Sequence, residues 1–254
     1  MKSGKLVRTF KFFEDCITLL LQISMNRIFH PQCIVNRLTA SNVQIAMNSF
    51  AMNSKVLDVG SGEAPYWKNR EDCSWTGLDV YPSHLETIVV TPGLPWNLPS
   101  SSFDGVLCTQ VLEHSFDFNL ILSEIDRILK HDGILVISVP FLYPFHGAPQ
   151  DYHRFTKFAM VEHLKDYEIV KQVQIGNYFE TQAVFKNIFL EEKFKSRNTL
   201  RLIRVFNFPI LMVFFTLNNL KALCLRNADK NSIFPIGLIF VCRKNASVST
   251  NDVV

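Results

Sequence analysis

Apolar residues recur along this chain with two different periods, and the change falls near residue 54. Before it, Leu6, Phe10, Phe13, Ile17, Leu20 and Leu21 stand three or four apart, the interval that gathers side chains on one helix face. Residues 1–53 are therefore expected to form an N-terminal helical segment. From Lys55 onward KVLDVG, WTGLDV, ETIVV, FDGVLCTQ and GILVISV are short β-rich runs separated by turn or helix signals. Such alternation predicts a doubly wound α/β fold, a mostly parallel sheet with crossover helices. The stretch Asp117–Lys130, with Leu120, Ile121, Ile125, Ile128 and Leu129, is the amphipathic helix between two of these runs. His131-Asp132-Gly133 is expected to close it, with Gly133 supplying the backbone freedom of a helix exit.

The pattern then weakens. A strand is expected at 167–175, followed by two apolar helical stretches at about 178–194 and 199–225 and a last strand at 234–244. This divides the chain into the N-terminal segment, a domain over 54–244 carrying a late helical insertion at about 178–230, and a flexible tail over 245–254. Within the insertion, Phe208 to Leu217 is apolar except for Thr216, which predicts a helix buried against something. Asn207, Asn218 and Asn219 bracket too few apolar residues to span a bilayer, which takes about 20. Arg201, Arg204, Lys221 and Arg226 flank the run, as they would on a helix lying at a membrane surface. The helix is expected to cap the acceptor pocket as well; packing on the sheet or in a dimer interface is the alternative.

Composition excludes more than it selects. Hydrophobic residues at 48%, including 22 Phe, outweigh charged residues at 19%, so the chain as a whole is not disordered. The net charge of +3 is small and its Lys and Arg are spread from Lys2 to Lys244, so no nucleic-acid partner is expected. The cysteines (Cys16, Cys33, Cys73, Cys108, Cys224, Cys242) form no C-x-x-C pair and no Cys/His grouping at zinc spacing, and no metal site is expected in the chain. Cys108 and Cys242 lie in apolar runs, where free thiols pack in a reducing compartment. Lys2, Lys5 and Arg8 before CITLLLQI imitate a signal peptide, but Glu14 and Asp15 adjoin the run and no small-residue cleavage site follows. A cytoplasmic location follows, with peripheral membrane association left open.

The chemistry begins at KVLDVGSGEAPYW, Lys55 to Trp67, a buried strand entering a glycine turn. Gly60 and Gly62 allow backbone conformations and a close approach that side chains forbid, so a ligand fits above the strand. Asp79 ends the next strand in WTGLDVY, where a carboxylate can accept both hydroxyls of a ribose. Together these specify a nucleoside. A dinucleotide fingerprint needs a third glycine, whereas here Gly60-x-Gly62 is followed by Pro65, which disfavours a nicotinamide oxidoreductase.

The D-x-G-x-G pattern resembles the class I S-adenosylmethionine-dependent methyltransferases. LPSSSFDGVLCTQVLEH, Leu98 to His114, is similar to the fourth-strand motif of their type 11 subfamily, and EIDRILKHDGILVISVP, Glu124 to Pro140, to the helix and fifth strand that follow. The resemblance covers Val56 to Thr156 and returns at the last strand. It implies a Rossmann-like sheet of seven strands with the last antiparallel, and S-adenosylmethionine as cofactor. It also implies that Asp58, Gly60 and Gly62 border the methionine end, that Asp79 holds the ribose, and that Gln110 lies near the methionine or acceptor side. Ala64 stands where the family has its third glycine, and Thr91-Pro92-Gly93 stands where an acidic residue often marks adenine.

A second cluster, PFLYPFHGAPQDYHRFT, follows the fifth strand, at the end of such folds where acceptors bind. His146, Asp151 and His153 are its catalytic candidates, the histidines because an imidazole titrates near neutral pH. Plainer readings stand beside these. Asp151 can pair with Arg154, Thr156 can cap a helix from Lys157, Glu113 and His114 can serve a helix start, and Trp67, Trp75 and Trp96 can be core residues. The expected function is methyl transfer to a small-molecule, saccharide or lipid-linked acceptor, at oxygen. The alternatives are a non-catalytic cofactor-binding scaffold and a peripheral membrane protein with a vestigial methyltransferase fold.

Overall fold

The computed structural model describes residues 28, 30–63, 66–67, 70–82, 87–195, 201–229 and 232–245. The helical face expected over Leu6 to Leu21 and most of the tail lie outside these residues. So do Ala64 and Pro65.

Strands β1 (Lys55–Val59), β2 (Ser74–Asp79), β3 (Thr87–Val89), β4 (Phe103–Thr109), β5 (Leu129–Pro140), β6 (Tyr167–Ile175) and β7 (Gly237–Lys244) form one sheet in the order β3-β2-β1-β4-β5-β7-β6. Neighbours from β3 to β5 run parallel, and β7 runs antiparallel to both β5 and β6. The near-continuous apolar runs of β1, β4 and β7 are those of strands covered on both faces. Val56, Leu57, Val106, Leu107, Ile239, Phe240 and Val241 are fully buried, whereas edge strand β6 alternates polar and apolar positions.

Helices α1 (Cys33–Met47), α2 (Phe118–Ile128) and α3 (Lys157–His163) accompany the sheet. Helix α2 buries Ile125 and Ile128 in the core with Leu135, Ile137 and Phe240. Asp117 caps it, accepting from the Leu120 N–H at 3.3 Å, and Thr156 caps α3 through the Ala159 N–H at 3.1 Å. The exit of α2 differs from expectation. The helix stops at Ile128, and Leu129 to Asp132 already belong to β5. The left-handed residue is Asp132 (φ 61°), while a Cβ on Gly133 would meet the Lys130 carbonyl oxygen at 2.8 Å. Gly133 thus permits close chain approach and does not make the turn.

The chain divides into two compact units, one of Ala40–Ile175 with Gly237–Val254, the other of Met1–Thr39 with Gly176–Ile236. The first holds the sheet. The second holds helices α4 (Tyr178–Lys195) and α5 (Arg201–Cys224), which lie between β6 and β7 in the chain. Asn177 opens α4 with a reciprocal capping box: its Oδ1 accepts from the Glu180 N–H and Glu180 Oε2 accepts from the Asn177 N–H, both at 3.0 Å. Asn187, Asn218 and Asn219 join α4 to α5 and to the segment before α1. Asn187 Nδ2 donates to Asn219 Oδ1 at 2.9 Å and Asn218 Nδ2 to Asn187 Oδ1 at 3.1 Å, while Asn219 Nδ2 donates to the carbonyls of Ile28 and His30. Asn219 is fully buried, so these asparagines form an internal polar staple. Helix α5 is only partly covered by protein. Phe215 is buried, but Ile210, Val213, Phe214, Leu217 and Leu220 are exposed along one side of α5. No helix of the described residues is long and apolar enough to cross a membrane.

Candidate active site

The carboxyl ends of β1, β4 and β5 adjoin because Val59 pairs with Cys108 and Thr109 with Ser138. β1 has β2 on one side and β4 on the other, which makes this the switch point where a ligand crevice opens in such sheets. Gly60 (φ 68°) starts the turn above β1, and its N–H donates to the Leu78 carbonyl at 2.7 Å. A Cβ there would lie 2.4 Å from Val111 Cγ2, so any side chain would force apart the turns after β1 and β4. Beside Gly62 (φ 47°) there is open space among the described residues.

Asp79 ties this turn to β2. Its Oδ2 accepts from the Gly62 N–H at 2.9 Å and its Oδ1 from the Val80 and Tyr81 N–H groups at 2.7 and 3.2 Å. A carboxylate offers about four lone-pair directions, so the group can fix the turn and still accept from a ribose. Asp58 is buried at the end of β1 and takes the Trp67 indole N–H on Oδ2 at 2.8 Å. Burial pushes its carboxyl up to about 7, the Trp67 bond opposing and the nearby Asp79 charge adding to the rise. Trp67 in turn stacks on Trp75 at 5.7 Å, whereas Trp96 is a buried core residue. Gln110 is left-handed (φ 55°) at the end of β4, a conformation uncommon for residues with a side chain. Its N–H reaches the Ser138 carbonyl at 3.0 Å and its Nε2 the Ser138 hydroxyl at 3.2 Å.

Leu112–His114 forms a single helical turn after β4. Glu113 is fully buried there, and neither carboxyl oxygen has a hydrogen-bond partner among the described residues. Asp117 does the capping of α2, so helix-start bonding does not account for Glu113. Burial pushes its carboxyl up to about 8, only partly offset by its own backbone N–H and by Arg154. Its backbone carbonyl anchors the loop after β5, accepting from the N–H groups of Tyr152 and His153 at 2.8 and 3.3 Å.

That loop carries the other candidates. Asp151 accepts from Arg154 Nη1 at 2.5 Å and Nη2 at 2.8 Å and from the His146 N–H at 2.9 Å. The guanidinium holds its carboxyl well below the usual range, so Asp151 positions the loop and is a poor base. His146 Nε2 lies 4.0 Å from Glu113 Oε1, and His114 Nε2 lies 3.9 Å from the same oxygen. Burial, followed by the neighbouring His114, holds the His146 imidazole below its usual value. His153 instead turns Nε2 to the Phe116 carbonyl at 3.2 Å and packs its ring on Phe118 at 4.9 Å. Sequence spacing missed the convergence of Glu113, His114 and His146. The available signal was a glutamate in an otherwise apolar VLEH run, whose histidine partner comes from a different strand end.

Comparison with known proteins agrees with this geometry. Residues 57–137 match the family model of the type 11 methyltransferase domain. No curated protein sequence matches the chain. Among solved structures, the cyclase SpnF superposes with TM-score 0.54 at 14% identity, covering 82% of each chain. A candidate sarcosine dimethylglycine methyltransferase from Galdieria sulphuraria gives 0.53 at 14% identity, over 83% of this chain and 85% of that one. A possible histamine N-methyltransferase from Thermotoga maritima gives 0.52 at 12% identity, over 87% and 93%. At such identities the likeness is one of fold. Together with the matched domain it defines a class I methyltransferase dependent on S-adenosylmethionine. Within that class, residues 57–137 are similar to the type 11 methyltransferase domain.

Proposed function

We propose that this enzyme methylates a hydroxyl oxygen of a small-molecule, saccharide or lipid-linked acceptor held over Glu113, His114 and His146. The carrying observation is that this polar group, with Glu113 buried and both imidazoles partly open, stands at the ends of β4 and β5, beside the Gly60 turn through Val111. In this reading Asp58, Gly60 and Gly62 border the methionine end of the cofactor, Asp79 holds the ribose, and Gln110 lies near the methionine or acceptor side. The oxygen lone pair forms the new C–O bond as the C–S bond breaks, the electron pair stays on sulfur as a neutral thioether, and the hydroxyl proton leaves to a base. Alignment of oxygen and methyl at about 3 to 3.5 Å is the enzyme's main contribution. Exposed aromatic rings at Phe116, Phe145 and Tyr152 give the neighbouring loops an apolar face suited to a sugar ring or a lipid-linked group. Incubation with methyl-labelled cofactor and a cell extract, followed by identification of the labelled product, tests this. Label found only on nitrogen or carbon would overturn the choice of oxygen.

The exposed stripe on α5 supports a second part of the reading. Ile210, Val213, Phe214 and Leu217 follow helical spacing on one face, with Lys221 and Arg226 beyond them. We infer that this face rests on a membrane surface, as a peripheral contact that would bring the enzyme to a lipid-linked acceptor.

A further inference from the structure

We propose that Glu113, His114 and His146 form a binding site for one divalent first-row transition-metal ion, whose open positions take oxygen atoms of the acceptor. The inference deepens the proposed function and rests on it for the acceptor, though the metal site itself does not.

The argument is a matter of protons. His114 Nδ1 lies 2.5 Å from the Gln150 carbonyl oxygen, which can only accept, so Nδ1 carries the hydrogen and Nε2 presents a lone pair. For His146, both protons of Arg154 Nη2 are already used, on the Pro144 carbonyl at 2.9 Å and on Asp151 Oδ2 at 2.8 Å. His146 Nδ1 stands 3.3 Å from both Arg154 Nη2 and the Pro144 carbonyl; with the Nη2 protons engaged, the tautomer that satisfies the carbonyl puts the hydrogen on Nδ1 and leaves Nε2 a lone pair. Both nitrogens face Glu113 Oε1, at 3.9 and 4.0 Å. These separations are too long for one proton on Glu113 to bridge, since hydrogen bonds to nitrogen weaken beyond about 3.2 Å. Two imidazole lone pairs thus converge on a carboxyl whose proton can reach neither nitrogen, and which is buried without any other partner among the described residues. A cation resolves all three at once.

Geometry and surroundings agree. The three ligand atoms lie within 4.8 Å of one another, while two atoms bound to one ion at about 2.0 to 2.2 Å can stand at most about 4.4 Å apart. Closing the widest pair by about half an ångström, a small side-chain rotation, brings the set into range. Each histidine donates its other ring N–H to a backbone carbonyl, the arrangement that orients metal-bound imidazoles. Gly147 (φ 67°) lets the loop backbone press on the His114 ring, where a Cβ would come within 2.9 Å of Cε1. Two imidazoles and one carboxylate favour zinc, iron, cobalt or manganese over the all-oxygen shells preferred by magnesium and calcium. Both imidazoles remain 31% exposed, which leaves a side of the site open to an acceptor.

The test uses the full chain without an affinity tag, stripped by chelator and titrated with Co2+ under equilibrium dialysis and visible absorption. One equivalent should bind with ligand-field bands, and Glu113→Gln and His146→Asn should each weaken binding by about tenfold or more. Titration with Zn2+ should shift the ring signals of His114 and His146 in the unaltered protein, a readout that survives if a variant misfolds. S-adenosylhomocysteine binding, measured calorimetrically on the same samples, reports separately on the methyltransferase reading. Absence of stoichiometric uptake, unchanged affinity in both folded variants, or ring signals of His114 and His146 that do not move would each overturn the metal site.

Discussion

The indole nitrogen of Trp67 donates to Asp58 across 2.8 Å, a hydrogen bond to a carboxyl that burial has pushed up to about 7. In the unfolded chain the same group titrates near about 3.9. Between these values the folded state keeps a proton that the unfolded state has lost. Stability should therefore fall as pH rises from about 4 to 7 and change little above that, by a few kcal/mol in all. Asp58→Asn should flatten this slope, as read by urea unfolding at pH 5 and pH 8. An unaltered slope would place its source elsewhere.

Asp79 holds three backbone N–H groups, and the proposed function has it accept from a ribose as well. S-adenosylmethionine or its demethylated product should raise the melting temperature, whereas NAD should not. Ligand at a hundred times its dissociation constant stabilises by about 2.7 kcal/mol. Asp79→Ala should weaken cofactor binding by about 1.5 to 3 kcal/mol, measured by titration calorimetry.

His146→Ala should lower turnover by about 10² to 10⁴ while leaving cofactor affinity nearly unchanged, because it removes a group from the acceptor side alone. Asp151→Asn should lower turnover too, but through position, since Asp151 holds both the His146 backbone and Arg154. Its carboxyl is depressed by Arg154, so its stabilisation is present above about pH 4 and is lost as pH falls below that. The asparagine variant should therefore melt earlier at pH 7 and lose that acid sensitivity. Normal turnover in both variants would return the loop to a structural role.

Phe214→Ser with Leu217→Ser should release the protein from anionic liposomes in a sedimentation assay without changing S-adenosylhomocysteine affinity. Both side chains lie on the exposed face of α5, so the fold loses little. An unaltered protein that never sediments with lipid would end the membrane reading.

The strands and the cofactor turn were legible because they rest on local rules. An apolar run covered on both faces reads as a parallel strand, and a turn such as Gly60's demands its glycine whatever surrounds it. The carbonyl clash at Gly133 and the left-handed turn at Asp132 were not legible, because they depend on how β5 approaches the end of α2. Helix α5 misled for a different reason. Its hydrophobicity was plain, but which side meets protein is decided by Asn187, Asn218 and Asn219, whose mutual hydrogen bonds bring together residues far apart in the sequence. Glu113, His114 and His146 meet only through the pairing of β4 with β5, and spacing along a chain carries no trace of that meeting.

Ile175 and Gly237 are partners across the β6–β7 ladder, so the chain leaves the sheet at one rung and re-enters it at the same rung. Everything between them is, for the sheet, a single loop closed at its base. Closing such a loop costs only about 0.6 kcal/mol more for each doubling of its length. The excursion that carries α4 and α5 can thus be lengthened, shortened or exchanged with little penalty to the ladder, and without moving a residue of the cofactor turn on the far side of β5. Descent with change has a free hand at this rung, and related enzymes could differ most there while their sheets remain alike.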